Sequence, residues 1–327
     1  MYASRRQFVL GSLGAALALP ALRIAQAAGY PEKPITFICP WPAGGTADVT
    51  MRALCVAAAR ELGQTIIVDN KAGASGMIGL KTLANAQSDG YTIGQIPISV
   101  TRFAQLGTVQ LDPLKDLTYI ARVSGQTFGI AVRADAPWKT LQDLVADAKA
   151  HPDAITYSTA GLGGATHVGM EEFAMVAGAK FRAIPYKGGS EALQGLLGGQ
   201  VDLLADSSSW APHVKSGKLR LLATWGAQRT LEFKDVPTLR EAGYDVVVDA
   251  PNGIGAPKGL APAVEQRLRA TFKVAAASRE FIDSCARIDA PVLYLDAPEY
   301  RQYVADTYAK DTRHIQRLKL KELMAGK

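Results

Sequence analysis

Ile35-Thr36-Phe37-Ile38-Cys39-Pro40-Trp41-Pro42-Ala43-Gly44-Gly45-Thr46-Ala47-Asp48 is an apolar run of strand formers that breaks into a turn rich in proline and glycine. A helical pattern follows from about 48 to 62 and stops before Gly63. The stretch therefore reads as strand, turn and helix. Its two glycines let the backbone approach something small. Thr46 is placed to cap the helix, and Asp48 suits its first turn. The N–H groups at a helix start have no partner within the helix, and the macrodipole adds to their pull on an anion. A carboxylate is a natural guest for such a turn. A tight αβ turn needs the same glycines, so the rest of the chain must decide between the two.

Working outward, a second strand at 65–69 completes a βαβ unit, which predicts a parallel sheet. Asn70-Lys71-Ala72-Gly73-Ala74-Ser75-Gly76 is another glycine-rich loop before a helix. A strand at 92–98 is left through Ser99-Val100-Thr101-Arg102. All three loops should open on one sheet edge, where ligands bind in open α/β sheets. The pattern restarts with a strand at 128–132, a helix at 140–150 and a strand at 154–159. That strand meets Ala160-Gly161-Leu162-Gly163-Gly164-Ala165-Thr166-His167 and a helix to Ala177. A strand at 181–185, the loop Tyr186-Lys187-Gly188-Gly189-Ser190, a short helix and a strand at 201–205 follow. The last strand ends at Asp206-Ser207-Ser208-Ser209-Trp210. A strand at 244–250 leads into Pro251-Asn252-Gly253. Helices at 262–278 and 298–318, with a strand at 292–295 between them, close the chain. Two similar α/β units and a C-terminal return predict two lobes and a cleft.

At 327 residues the chain has room for two domains. Its 48% hydrophobic and 20% charged residues are those of a globular protein with sizeable cores. The net charge of +6 falls to +3 without residues 1–27, which hold Arg5, Arg6 and Arg23 and no acid. So mild and scattered an excess argues against nucleic acid. The first 27 residues read as an export signal. Arg5-Arg6 precedes an apolar run, and Ala25-Gln26-Ala27 fits a cleavage site, so a mature chain from Ala28 is expected. The arginine pair points to the twin-arginine type. With no lipoprotein cysteine after the run, a soluble periplasmic protein is expected. Cys39, Cys55 and Cys285 show no C-x-x-C spacing and read as buried thiols. His167 and Glu171 stand four apart, too few to make a metal site.

Catalytic patterns mostly fail. There is no P-loop, and Gly161-Leu162-Gly163 lacks the third glycine of a dinucleotide fingerprint because Thr166 stands there. Gly73-Ala74-Ser75-Gly76 falls one residue short of a nucleophile elbow. A hydrolase would need Ser75 or Ser208 beside His167 and a carboxylate such as Asp206. The positive signal is different. Glycine-rich loops precede helices in both units, with the hydroxyls of Thr46, Ser75, Thr159 and Thr166, which is equipment for holding an anion.

YPEKPI, WPAGGTAD, LGQTIIVDNKAGASGMIG and DGYTIG occur in order in the first half. YSTAGLGGATH, PYKGGSEALQGLLGGQVDLLADS, HVKSGKLRLLA and DVPTLREAGY follow in the second. In these the chain resembles the Bug-type (TctC-like) extracytoplasmic solute receptors, the binding component associated with tripartite tricarboxylate transporters. The resemblance covers about 30–320. It implies an α/β, two-lobe periplasmic-binding-protein fold (type II-like), with parallel-rich sheets flanked by helices and a ligand cleft between the lobes. Lobe one would be 28–128 plus 252–327, and lobe two 129–251. It implies a non-enzymatic, monomeric receptor without cofactor or metal. Such a receptor would capture a small carboxylate for a membrane permease of that type, or present it to a sensor kinase. The implied ligand contacts begin with Trp41, Pro42, Ala43, Gly44, Gly45 and Asp48 on the first loop, with Ser75 and Ser99 on the loops beside it. The facing lobe would use Thr159, Ala160, Gly161, Gly163, Thr166, His167 and Asp206. Asn252 stands where many members carry an aromatic, which implies a different specificity wall. His167, in a helix's first turn, reads more readily as a structural hydrogen-bond partner than as a ligand contact.

Overall fold

The computed structural model describes residues 29–325. The export signal expected at 1–27 lies outside them. The opening strand, β1 (Ile35–Cys39), is buried at all but one position, as a parallel strand covered on both faces requires. The helix after it, α1 (Thr46–Leu62), starts two residues earlier than its sequence pattern. Gly45, in an extended conformation, holds the cap position, so Thr46 is the first helical residue and not the cap. Asp48 fastens the turn instead. Its Oδ2 accepts the Gly44 N–H at 2.9 Å, and its Oδ1 accepts from Asn70 Nδ2 at 2.8 Å and Arg52 Nε at 3.0 Å. Gly63, left-handed at φ 70°, ends the helix with its N–H on the Ala59 carbonyl.

Strands β2 (Ile66–Asn70) and β3 (Thr92–Ile96) flank β1 in parallel. Three antiparallel strands extend the sheet: β4 (Leu117–Gly125), β10 (Pro251–Pro257) and β11 (Val292–Asp296). The order is β11-β4-β10-β3-β1-β2. In the second sheet β6 (Thr156–Thr159) lies between β7 (Arg182–Pro185) and β8 (Leu203–Ser207), all parallel. β5 (Phe128–Arg133) and β9 (Leu219–Thr224) continue it antiparallel, in the order β7-β6-β8-β5-β9. The two sheets share one plan. β2-β1-β3-β10-β4 in the first matches β7-β6-β8-β5-β9 in the second. In each, the fourth strand is supplied by chain arriving from the other sheet. This is the α/β two-lobe periplasmic-binding-protein fold.

The remaining helices are α2 (Met77–Ala84), α3 (Val100–Gln105), α4 (Leu141–Ala150), α5 (Ala165–Ala177), α6 (Gly189–Leu197) and α7 (Ala211–Lys215). The C-terminal set is α8 (Pro262–Ala276), α9 (Arg279–Arg287), α10 (Ala297–Arg317) and α11 (Leu320–Met324). Phe37, Met51, Leu268, Phe272 and Phe281 join α1, α8 and α9 to the first sheet in one apolar cluster. Cys39, Cys55 and Cys285 belong to it, buried and unpaired. A second cluster runs between the sheets and includes Ile96, Tyr119, Phe128, Tyr157, Phe173, Trp225 and Tyr300.

The sequence reading missed β4, β9, α3, α7, α9 and α11, and it misplaced one strand. Residues 244–250 are irregular, and the strand begins at Pro251. Val248 spends its N–H on the Trp225 carbonyl, outside either sheet. The glycine-bearing stretch after it takes the sheet position because there is no room for side chains there. A Cβ on Gly253 would fall on the Tyr300 ring, and one on Gly255 would meet Ile96 and, at 2.7 Å, the Thr118 carbonyl.

The two crossings between sheets lie side by side. Gln126 and Thr127 alone separate β4 from β5. Gln126 donates its N–H to the Ala250 carbonyl at 2.9 Å, and Trp225 donates to Phe128 O at 3.0 Å.

Candidate functional site

A cavity lies between the two sheets, and each lobe contributes a strand–helix turn and a strand end, with a second helix start from the second lobe. The first lobe brings the β1–α1 turn (Trp41, Pro42, Gly45, Thr46, Ala47) and the end of β3 with its continuation (Gln95, Pro97, Ile98, Ser99). The second brings the β6–α5 turn (Ala160, Gly164, Ala165, Thr166), the start of α6 (Gly189) and the end of β8 (Asp206, Ser207). The crossings supply Gln126, Phe128, Ala250 and Pro251. All the loops leave the carboxyl ends of parallel strands, where the strand order reverses on either side of β1 and of β6. Three helices, α1, α5 and α6, begin at the cavity. Their first N–H groups have no intrahelical acceptor, and their dipoles point a positive end inward. The hydroxyls of Thr46, Ser99, Thr166 and Ser207 stand among them.

Asp206 is the sole ionisable residue of this lining among the described residues. Its Oδ1 accepts from Ser207, from the N–H at 2.5 Å and from Oγ at 3.1 Å, while Oδ2 is buried without a partner. Burial raises the carboxyl, the Ser207 N–H and hydroxyl pull it part of the way back, and the balance stands at about 6. Trp41 Nε1 and Gln95 Oε1 are likewise buried and unpartnered. Gln95 is fixed by Asn252, whose Oδ1 accepts from Gln95 Nε2 at 2.8 Å and from Gln126 Nε2 at 3.1 Å. Asn252 Nδ2 donates in turn to Ser124 Oγ at 2.9 Å.

The other sequence candidates fall outside the lining. Ala43 and Gly44 are exposed on the outer rim of the first turn, and Asp48 lies beneath it. Asn252 is fully buried within β10 and stands behind the two glutamines, so it forms no wall of the cavity. The Thr159 hydroxyl pairs with that of Thr166, 2.7 Å away. Ser75, Gly161, Gly163 and His167 gather on one side, where the lobes touch. Ser75 Oγ donates to Leu162 O at 2.9 Å, and Gly161 packs on Ser75. Gly163 donates its N–H to His167 Nδ1 at 3.2 Å and accepts Arg102 Nη1 at 2.9 Å on its carbonyl. Arg102 is itself paired with Asp311 of α10. On the same side Arg317 and His314 of α10 reach Glu172 of α5. Across the cavity mouth Ser207 Oγ meets Thr46 Oγ1 at 3.2 Å. Ser208 Oγ is buried and unpartnered. Among the described residues no hydrogen bond joins Ser75 or Ser208 to His167. Burial, with the Arg102 charge, pushes His167 down to about 4, so its ring is neutral at pH 7.

Sequence reasoning missed Gln95 and Gln126. A glutamine inside the apolar strand Thr92–Ile96, and another at the sheet crossing, were the available signals.

The buried carboxylate has a measurable consequence. A carboxyl that ionises at about 6 in the fold, against an ordinary 3.8, keeps its proton longer when folded. Its contribution is full below about pH 4 and is lost as pH rises from 4 through 6. Asp206→Asn is therefore expected to stabilise the ligand-free protein by roughly 1–3 kcal/mol at pH 7.5 and to change little at pH 4. His167 acts with the opposite sign, costing stability as pH falls from 6.5 towards 4, but it is common to both proteins and cancels in the difference. Thermal melts of the pair from pH 4 to 7.5 check this, and a difference that does not vary with pH would contradict it.

Residues 50–320 match the family described as "Tripartite tricarboxylate transporter family receptor". The chain is 41% identical to the "UPF0065 protein in gbd 5'region" of Cupriavidus necator, over 97% of this chain and 98% of that one. It is 31% identical to "Protein BugT" of Bordetella pertussis, over 85% and 86%. Among solved structures, the periplasmic binding protein BugD superposes with a TM-score of 0.85 at 29% identity, covering 89% of this chain and 99% of BugD. MatC (Rpa3494) from Rhodopseudomonas palustris, with bound malate, gives 0.78 at 26% identity, covering 90% and 100%. R. palustris Rpa4515 with adipate gives 0.84 at 25% identity, covering 88% and 98%.

Proposed function

The chain belongs to the tripartite tricarboxylate transporter family of receptors, and from that we propose that it is a periplasmic solute receptor which captures a small carboxylate between its lobes for a permease of that type. One observation carries the reading. The cavity is lined by three helix starts and four hydroxyls. The carboxylate sits against the β1–α1 turn, with the N–H groups near Gly45 and Thr46 and the hydroxyls of Ser99 and Thr166 within its reach. Ala43 and Gly44 form the rim over which it enters. Malate in one structural neighbour and adipate in another support a ligand of this class. The moving bodies are 28–128 plus 252–327 and 129–251, bending at the paired crossings. The ligand's preference for the closed arrangement drives that motion. The chain reaches the periplasm through its twin-arginine signal and is cut after Ala27.

Native mass spectrometry of protein purified gently from the periplasm tests both parts. The expected mass is that of a chain beginning at Ala28 plus a small carboxylic acid. That acid, added back, raises the melting temperature through binding to the folded state and is recovered unchanged. Turnover of an ester or amide that disappears in Ser75→Ala would replace the receptor with a hydrolase.

A further inference from the structure

Asp206 and Gln95 occupy matching places in the two lobes. β3 and β8 are equivalent strands of the two sheets, and each residue is the fourth of five in its strand. Both line the cavity, and each leaves one buried acceptor atom, Oδ2 and Oε1, without a partner. Gln95 cannot exchange its oxygen for its nitrogen without loss, because Nε2 is spent on Asn252 Oδ1. Asn252 is held the right way round because its Nδ2 faces the Gly125 carbonyl, at 3.5 Å, as well as Ser124 Oγ, and a carbonyl can only accept. The cavity therefore presents two fixed acceptors without a hydrogen-bond partner, one of them on its sole ionisable side chain, which stands beside Gly189 at the start of α6.

A buried acceptor without a donor is costly, and a buried carboxylate without a counter-charge more so. A plain dicarboxylate makes this worse by bringing more acceptors and more negative charge. A hydroxyl brings one hydrogen for two acceptors and no charge. An ammonium brings three N–H donors and a positive charge. We propose that the ligand is an amino acid, its carboxylate on the helix starts and its ammonium received by Asp206 and Gln95. This rests on the reading of the cavity as a carboxylate site and names the ligand's second group. The side chain of that amino acid meets Phe128, Pro97 and Ile98, apolar parts of the lining.

Calorimetry with matched probes tests it, using ligand-stripped protein, the twenty amino acids, and for each its analogue with the amino group replaced by hydrogen or hydroxyl. Aspartate, succinate and malate are one such set, and alanine, propionate and lactate another. The wild type is expected to bind at least one amino acid roughly ten- to a hundredfold more tightly than both of its analogues. Asp206→Asn, confirmed as folded by circular dichroism, is expected to reduce that preference to about threefold or less, because the amide keeps the shape and loses the charge. A wild type that binds the hydrogen or hydroxyl analogue as tightly as the amino acid overturns the ammonium assignment and leaves the carboxylate reading standing. A full preference retained in Asp206→Asn removes Asp206 from the role. Binding of none of the acids, with or without nitrogen, overturns the carboxylate reading itself.

Discussion

Gly188→Val is expected to hold the lobes apart while leaving both folded. Gly188 lies in the second lobe, just before α6, and faces Pro42 of the β1–α1 turn. A Cβ added there would run into the proline ring, meeting Cδ and lying 2.7 Å from Cγ. Its backbone is fully extended at φ 175°, a conformation any residue adopts, so the substitution adds no strain within its own lobe. The clash exists only when the turn and the α6 start are together, as they are here. Forcing extra atoms into such a contact costs about 1–3 kcal/mol. If closure and binding are linked, affinity falls by roughly ten- to a hundredfold. Small-angle scattering should show no contraction on adding the carboxylate, while the ligand-free melting temperature stays near that of the wild type. Gly188→Ala should show the same effects in smaller measure. Wild-type affinity and full contraction in Gly188→Val would mean that Pro42 and Gly188 do not need to meet.

The largest stability effect is expected at Arg102. This buried guanidinium gives Nη2 to Asp311 Oδ1 at 2.7 Å and Nε to the same oxygen at 3.1 Å. The other carboxylate oxygen takes the Thr101 hydroxyl at 2.5 Å. Arg102→Leu leaves the Asp311 carboxylate buried without its counter-charge, which typically costs about 3–5 kcal/mol. In a chain of this size that is a fall in melting temperature on the order of 10 °C. The variant also removes the donor on the Gly163 carbonyl, so the lobes lose one of their bridges. Arg102→Leu combined with Asp311→Leu should recover most of the stability, since a buried pair replaced whole is nearly neutral. A single variant that melts within two degrees of wild type would show that Asp311 finds water when Arg102 is gone.

The opening turn, the parallel strands beside it and the repeat of that plan in the second half were legible because each rests on local signals. Those signals are an apolar run, a glycine where the turn demands it, and a helical period ended by Gly63. What the sequence hid depends on partners far along the chain. Val246 to Val248 has the composition of a strand, yet the sheet position goes to a stretch with Gly253 and Gly255, because Tyr300 and Ile96 already fill the space beside it. The site divides in the same way. Trp41, Pro42, Gly45, Ser99, Ala160, Thr166 and Asp206 line the cavity, each at a strand's carboxyl end where the topology puts loops. Ser75, Gly161, Gly163 and His167 share the same loops but turn to the contact between lobes. One-dimensional spacing does not distinguish the inner side of a loop from its flank. Asn252 acts one layer further back, through amides that nothing near it in sequence announces.

The three cysteines lie within the first lobe's apolar cluster, where burial pushes Cys39 and Cys285 up to about 12 and raises Cys55 as well. Only the thiolate attacks a maleimide, and a thiol at 12 is ionised in about one molecule in 100,000 at pH 7. Buried and held as thiols, all three are expected to react slowly with maleimide dyes. Ala43 and Lys187 are exposed, one in each lobe, next to Pro42 and Gly188, which face each other. Cysteines introduced at those two positions would take a donor and an acceptor fluorophore with no need to remove a native thiol, and the molecule would become an optical gauge of its own opening.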